Sequence, residues 1–143
     1  MNQTPKVQFH NLIPVPSLKN RKELKLFLTK LAKKEGRPLK TLSIILCSDE
    51  YLLSMNKQFL QHDYYTDIIT FDLSEGSAIE GELYISVDRV KDNALSFSST
   101  LQQELHRVIF HGLLHLCGYK DKSPKHIKEM RAAEQRALSA YFK

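Results

Sequence analysis

The segment HGLLHLCGYKD places two histidines and an aspartate at a spacing that favours a metal site. His111 and His115 are four residues apart, so in a helix both imidazoles project from one face and can reach one ion. Gly118 is the residue type that ends a helix in a left-handed turn, after which the chain can fold back and present Asp121. Three protein ligands leave one coordination position open, as in a catalytic zinc site. We therefore predict one Zn²⁺ held by His111, His115 and Asp121, although nickel, cobalt or manganese would also suit these donors.

The frame differs from that of the zinc proteases at two positions. Metzincin proteases have the spacing H-x-x-x-H-x-x-G-x-x-H and place a glutamate, the general base, directly after the first histidine. Here that residue is Gly112, which cannot accept a proton, and the third ligand is Asp121 instead of histidine. Gly112 is better explained by close packing of the helix on a neighbour. A metalloprotease is therefore the least favoured of the functions considered.

The remaining histidines are weaker ligand candidates. His106 lies five residues before His111 and points elsewhere on the helix, and His10 is in a distant segment. We keep His62 and His126 as substitute ligands or as groups that support the ligands. A histidine pair at this spacing is by itself more often a surface or packing feature, and it is the following glycine and carboxylate that favour metal binding.

Length and composition predict one domain in the cytosol. A chain of 143 residues with 42% hydrophobic residues can form one core but hardly two, so we expect residues 1–143 to be a single domain. No segment approaches the roughly 20 apolar residues needed to cross a bilayer, and the first residues lack the pattern of a secretory signal. We expect no membrane partner, and we expect Cys47 and Cys117 to be buried free thiols.

Positive charge is concentrated near the start of the chain. Residues 1–47 contain ten Lys and Arg against two Asp and Glu, residues 48–98 three against ten, and residues 99–143 eight against four. The net charge of +5 favours an anionic partner, and we expect RNA and not DNA, although lysine-rich faces also serve solubility alone. The acidic middle indicates that RNA follows one face, which includes the helix of Lys19 to Lys34.

The hydrophobic pattern predicts alternating strands and helices. Strands are expected at residues 7–13, 41–48, 66–72 and 81–87, and helices at 18–34, 48–61, 88–95, 101–117 and from 123 to the C terminus. Pro14 and Pro16 should separate the first strand from the first helix, and Asp88 should cap the third helix. This order predicts an α+β fold, a mixed sheet of about four strands packed with helices. The zincin-like metal helix should be central, with an apolar stripe of Leu101, Leu105, Val108, Ile109, Gly112 and Leu116.

The run HRVIFHGLLHLCGYKD resembles the HGxLHLxGYDH signature of the YbeY family of bacterial metal-dependent endoribonucleases. Upstream, Met55–Asn56 matches the family's LN, Thr66–Phe71 its TDVLSF and Gly81–Ser86 its GDIxIS, so the likeness covers about residues 40–135. The resemblance implies a zinc site in an α+β fold and single-stranded RNA as substrate. It also implies a role in ribosomal RNA maturation, including the 3′ end of 16S rRNA, and in ribosome quality control, with the ribosome or ribosomal proteins as partners.

The chain departs from the family pattern at several positions. The family's third histidine is Asp121 here, and the aspartate that usually precedes it is Lys120. A family arginine thought to contact RNA falls on Leu60, and a nearby lysine falls on His62. Leucine cannot bind phosphate, so other cations would have to hold the RNA near the metal.

Arg107 and Lys120 are the best-placed cations for that role, because they lie one helical turn before His111 and next to Asp121. An ion pair of Arg107 with Glu104 is at least as good an explanation for that arginine.

The sequence does not identify the catalytic base. A metal with a free position can activate water near neutral pH, or polarise the phosphoryl oxygen while the neighbouring 2′-hydroxyl attacks. Asp67 and Glu82, from the matched segments, are candidate bases or ligand-supporting groups, but either can equally cap a strand or orient a loop. The main alternative function is a non-enzymatic, RNA-binding ribosome-assembly factor with a structural metal, which Leu60 favours.

Overall fold

Strands and helices alternate along the chain in the computed structural model, which describes residues 4–15 and 18–143. The described strands are β1 (Lys6–Asn11), β2 (Leu39–Cys47), β3 (Ile68–Asp72) and β4 (Ile79–Ser86). The described helices are α1 (Arg21–Lys34), α2 (Asp49–Leu60), α3 (Val87–Ser96), α4 (Leu101–Leu116) and α5 (Pro124–Tyr141).

The strands form one mixed sheet in the order β1-β2-β4-β3. Strands β1, β2 and β4 are parallel, and β3 pairs antiparallel with β4 across a short connection. Central strand β2 is buried along most of its length, which explains its continuous apolar run. The predicted α+β fold with a four-stranded mixed sheet is confirmed. Strand β3 lies at an edge of the sheet, where the candidate site is found.

The two faces of the sheet pack against different helices. Helices α1 and α4 contribute to the main core on one face, together with Leu42, Ile44, Leu83 and Ile85 from β2 and β4. On the other face α2 forms a smaller cluster with side chains of β2, β3 and β4, namely Cys47, Leu52, Met55, Ile69, Phe71 and Tyr84. Successive residues of a strand point to opposite faces, so each strand contributes to both layers.

Helix α4 is central, as predicted. More of its surface is buried than the predicted apolar stripe covers. Phe110, Leu113 and Leu114 are fully buried as well, because α3 and α5 cover sides that the stripe does not include. The Thr100 hydroxyl accepts the amide of Gln103 and caps the helix start.

Several element boundaries differ from the predictions. Strand β1 ends at Asn11, two residues before its predicted end, while β3 begins two residues late and β4 two residues early. Helix α1 begins at Arg21, three residues late, because Asn20 has a φ of 56° that a right-handed helix cannot contain. Pro14 lies in the irregular segment after β1, and Pro16 lies outside the described residues.

The prediction that Asp88 caps α3 is wrong. The Ser86 hydroxyl caps this helix by accepting the amide of Arg89, 3.1 Å away. The Asp88 carboxylate instead accepts the amide of Asp49 at the start of α2, at 2.9 Å. By contrast, Ser123 caps α5 and Pro124 occupies its first turn, as predicted.

Both cysteines are free, as predicted, but only Cys47 is fully buried. Burial, with the charges of Asp88 and Asp49, raises the pKa of the Cys47 thiol to about 12. Burial and the charge of Glu35 raise the pKa of Cys117 to about 11, against a smaller opposing effect of Arg37. Both thiols are therefore protonated near neutral pH.

No helix within residues 4–15 and 18–143 combines the length and the apolar character needed to cross a bilayer.

At Gly112, α4 packs closely against the sheet. A Cβ atom here would lie 2.8 Å from Ile68 Cδ1 and 2.8 Å from Leu83 Cδ2. Leu83 is fully buried and has little room to move. The packing role predicted for this glycine is therefore confirmed.

We predict that Gly112→Ala destabilises the protein by about 1–2 kcal/mol, because the added methyl group overpacks the core. Helix propensity alone would make the same change stabilising by about 1 kcal/mol, so the sign of the effect is informative. Chemical denaturation measures it. Gly76→Ala is the matched control, since a Cβ there meets no atom within 4 Å. Equal or greater stability of Gly112→Ala would contradict the packing account.

Candidate metal centre

The predicted ligands line one cleft at the β3 edge of the sheet. This histidine cleft has a volume of about 270 Å³ and lies between α4, β3 and the loop that follows α2. His111, His115 and Asp121 form one wall. The other described lining residues are Asn56, Leu60, His62, Tyr64, Thr66, Asp67, Ile68, Ile69 and Thr70.

Nδ1 of His111 is hydrogen-bonded to a carboxylate. Its Nδ1 lies 2.6 Å from Oε2 of Glu134, and because an ionised carboxylate only accepts, the imidazole donates this hydrogen bond. Its Nε2 is then the free nitrogen, and it lies 3.3 Å from Oδ2 of Asp121. Two ligand atoms that are each about 2 Å from one ion in tetrahedral geometry lie about 3.3 Å apart. His111 and Asp121 thus have the separation of two ligands of one ion.

His115 is oriented in the same way by a backbone carbonyl. Its Nδ1 donates to the carbonyl oxygen of Tyr119 at 2.9 Å, which leaves its Nε2 free. The rings of His111 and His115 are nearly parallel, at 9°, with centroids 6.4 Å apart. Gly118 has a φ of 111° and donates its amide to the carbonyl of His115, so the predicted left-handed turn is confirmed.

The donor types of these residues suit a divalent ion. Among the residues that the structure describes, no three His, Cys, Asp or Glu side chains are gathered closely enough to hold an ion as they stand. Two imidazoles and a carboxylate are nevertheless donors that zinc accepts, and a hydrogen bond at Nδ1 of each imidazole is an arrangement that metal-binding histidines have.

Buried charged side chains hold the Glu134 side chain in place. Arg107 donates to Glu134 Oε1 at 2.9 Å and to both oxygens of Glu104, at 2.9 and 2.7 Å. Burial raises the pKa of Glu134, but the hydrogen bonds and charges of His111 and Arg107 outweigh it and hold the pKa below its usual value. Glu134 is therefore an anion when it accepts from His111. The sequence analysis missed Glu134, because it lies on α5, 23 residues away, and only the packing of α4 on α5 brings it to the site.

The two cations proposed to hold phosphate lie outside the cleft lining. The ion pair of Arg107 with Glu104 is present, Arg107 also pairs with Glu134, and its contact with the cleft residue Asp67 is longer, at 4.0 Å. Lys120 is exposed and lines a separate depression beside Gly118 and Tyr119. This geometry favours a structural role for Arg107 and gives no support for a phosphate contact by either residue.

The remaining candidates divide between the cleft and other surfaces. Asp67 lines the cleft, where it accepts from Nδ2 of Asn93 at 3.2 Å and lies 4.0 Å from the Arg107 guanidinium. Glu82 does not support the ligands, because it lies on the α2 face of the sheet and accepts from the Tyr84 hydroxyl at 3.4 Å.

Of the two substitute ligands, His62 lines the cleft and His126 lines the depression that contains Lys120.

A larger depression of about 600 Å³ between α4 and α5 is a weaker candidate site. Its described lining contains no histidine, cysteine or aspartate. Of its two arginines, Arg107 pairs with Glu104 and Glu134, and Arg131 pairs with Glu134. The histidine cleft is therefore the stronger candidate for a metal site.

Comparisons with known proteins show the family to which the chain belongs. A family profile described as Endoribonuclease YbeY matches residues 8–142. Relatives named Endoribonuclease YbeY include one from Cytophaga hutchinsonii, 58% identical over 85% of this chain and 86% of its own length. Another, from Phocaeicola vulgatus, is 47% identical over 89% of this chain and 91% of its own length.

A solved structure also matches over nearly the whole chain. The solution structure of a Thermotoga maritima protein has a TM-score of 0.66 and 30% identity, over 96% of this chain and 89% of that one. The sequence resemblance and the fold therefore agree, and the chain belongs to the YbeY endoribonuclease family.

Proposed function

We propose that this protein is a metal-dependent endoribonuclease that cleaves single-stranded RNA in the cytosol. Its substrate would be ribosomal RNA, including the 3′ end of 16S rRNA, and its role rRNA maturation and ribosome quality control on or near the ribosome. One observation carries the proposal: both histidines hold Nδ1 in a hydrogen bond, and His111 presents Nε2 to Asp121 at a ligand-to-ligand distance. Membership of the YbeY family supports RNA as the substrate.

The donor set favours hydrolysis of a phosphodiester over that of a peptide. A zinc ion held by His111, His115 and Asp121 would supply an activated water and offset charge on the reacting phosphate. The position of a protease's glutamate is Gly112, packed against Leu83 with no room for a side chain. This leaves no general base at that position, which argues against a metalloprotease.

Asp67 is the best candidate for the proton acceptor. Apart from Asp121, it is the one carboxylate among the described residues that line the cleft. The hydrogen bond from Asn93 and the nearby Arg107 guanidinium hold this carboxylate in place. A carboxylate in the cleft can take a proton from the attacking water or from a 2′-hydroxyl.

The cationic helix α1 would contact RNA outside the cleft. This helix packs on β2 and α4, whereas the cleft lies beside β3. In the sheet, β3 is an edge strand and is separated from β2 by β4. Lys22 and Lys33 are exposed on α1 and are available to bind phosphates of a longer RNA.

A second candidate function is an RNA-binding ribosome-assembly factor in which the metal is structural. It is favoured by one observation: no Lys or Arg is found among the described residues that line the histidine cleft. Binding of a phosphate group in the cleft would then depend on the metal ion alone.

The direct test is cleavage of a single-stranded RNA oligonucleotide with the 16S 3′-end sequence by zinc-loaded protein. The control is the His111→Ala/His115→Ala double variant, purified in parallel so that a contaminating nuclease would cut in both samples. We expect the wild type to cut the single strand but not its duplex, and the double variant to leave both intact. Chelation should stop cleavage, and added zinc should restore it only in the wild type.

Equal cleavage by the two proteins would overturn the proposal. Binding of the oligonucleotide without cleavage by zinc-loaded wild type would favour the assembly factor instead.

A second prediction concerns Glu134 as a positioning residue for His111. Glu134→Gln keeps the side-chain shape but removes the charge that orients the imidazole, so zinc affinity should fall about tenfold to a hundredfold. Competition with a chelator measures the affinity, and thermal melting checks the fold. Glu129→Gln is the matched control, because Glu129 lies exposed on the same helix. Unchanged zinc affinity in Glu134→Gln would show that His111 does not need this carboxylate.

A further inference from the structure

Two aromatic rings lie together at the mouth of the histidine cleft. His62 and Tyr64 are near-parallel, with centroids 5.0 Å apart and an interplanar angle of 21°, and the Tyr64 hydroxyl lies 2.9 Å from Nδ1 of His62. Both residues line the cleft, yet Tyr64 is 54% exposed. An aromatic ring this exposed adds little to the core, so its position calls for another explanation.

A buried asparagine holds the loop that carries these rings. Asn56 is 1% exposed, donates from Nδ2 to the carbonyl of Tyr64 at 2.9 Å, and accepts the amide of His62 on its own carbonyl at 3.0 Å. Gln61, with a φ of 56°, completes the turn between α2 and the loop. A fully buried polar residue is therefore used to fix the backbone on either side of the ring pair. The rings are placed before any ligand arrives, which lowers the entropy cost of binding.

The cleft has little other means of holding RNA. No Lys or Arg is among its described lining residues, and Lys57, on the nearby end of α2, pairs with Asp63 at 3.4 Å. Apart from the proposed ion, the described lining of the cleft thus offers RNA no cation. Stacking of a nucleobase on an aromatic ring needs no cation and tolerates any base. It does require a base that is unpaired and unstacked from its neighbours.

We propose that His62 and Tyr64 form a stacking platform for the base of a nucleotide next to the cleaved phosphate. This inference rests on the proposed ribonuclease function and adds its substrate selection: a base in a duplex cannot reach the platform, so the enzyme acts on single strands. His62 and Tyr64 are positioning residues, since they hold the base and do not touch the reacting atoms. Purines, with the larger aromatic face, should bind better than pyrimidines.

The test compares Tyr64→Ala and His62→Ala with Tyr65→Ala. Tyr65 is a matched control because it is adjacent and 45% exposed, but its ring lies against Arg89 and its hydroxyl donates to Glu50, away from the cleft. A short 2′-O-methyl RNA that carries 2-aminopurine reports binding and stacking by fluorescence quenching, without any cleavage. A cleavable RNA of the same sequence gives KM and kcat separately.

We expect Tyr64→Ala and His62→Ala to weaken binding of the 2-aminopurine RNA about tenfold or more and to lose the quenching. KM should rise by a similar factor while kcat changes little, Tyr64→Phe should bind like the wild type, and Tyr65→Ala should change neither value. Each altered side chain is exposed, so melting temperatures should stay close to that of the wild type.

Two outcomes separate this inference from the function on which it rests. If the wild type cleaves RNA but Tyr64→Ala keeps its KM and quenching, or Tyr65→Ala loses as much, the platform is refuted while the ribonuclease stands. If the wild type quenches 2-aminopurine through Tyr64 but cleaves nothing, the platform stands and the ribonuclease fails.

Discussion

At Gly112, helix α4 lies so close to strands β3 and β4 that a methyl group would come within 2.8 Å of Ile68 and Leu83. This contact sets the height of the helix above the sheet and the rotation of the helix about its own axis. Gly112 is turned towards β4. His111, its neighbour, therefore lies at the side of the helix beside the edge strand β3, and so does His115 one turn later. A bulkier residue would lift α4 and move both imidazoles away from the cleft. The candidate metal site thus depends on a packing constraint at a residue that is not itself a proposed ligand.

The face of the same helix that carries His111 is held by a buried group of charges. Glu104, Arg107 and Glu134 form a buried group in which each carboxylate oxygen has a donor, and Oε2 of Glu134 accepts the hydrogen bond from Nδ1 of His111. Removing one member of such a group leaves an uncompensated buried charge, which typically costs about 3–5 kcal/mol. Replacing the whole group with apolar residues can be neutral for stability, so its presence is better explained by the imidazole that it orients.

The parts of the site that sequence predicts well are those set by local geometry. The spacing of His111 and His115 and the left-handed turn at Gly118 follow from helix periodicity and from the conformational freedom of glycine, whatever the rest of the fold does. Glu134 and Asn56 carry no such signal, because their roles arise only when separate segments meet. Glu82 is different: its neighbours in β4 point into the α4 core, so strand alternation alone places it on the other face.

We propose that two imidazoles and one carboxylate hold a single ion and leave a position free. X-ray absorption at the zinc edge, on protein loaded with one equivalent of zinc, tests this coordination. We expect only nitrogen and oxygen donors at about 2.0 Å, two of them imidazoles in the wild type and one in His115→Ala. A sulfur donor at about 2.3 Å would implicate Cys117, two imidazoles retained in His115→Ala would implicate another histidine, and either result would contradict the assigned site.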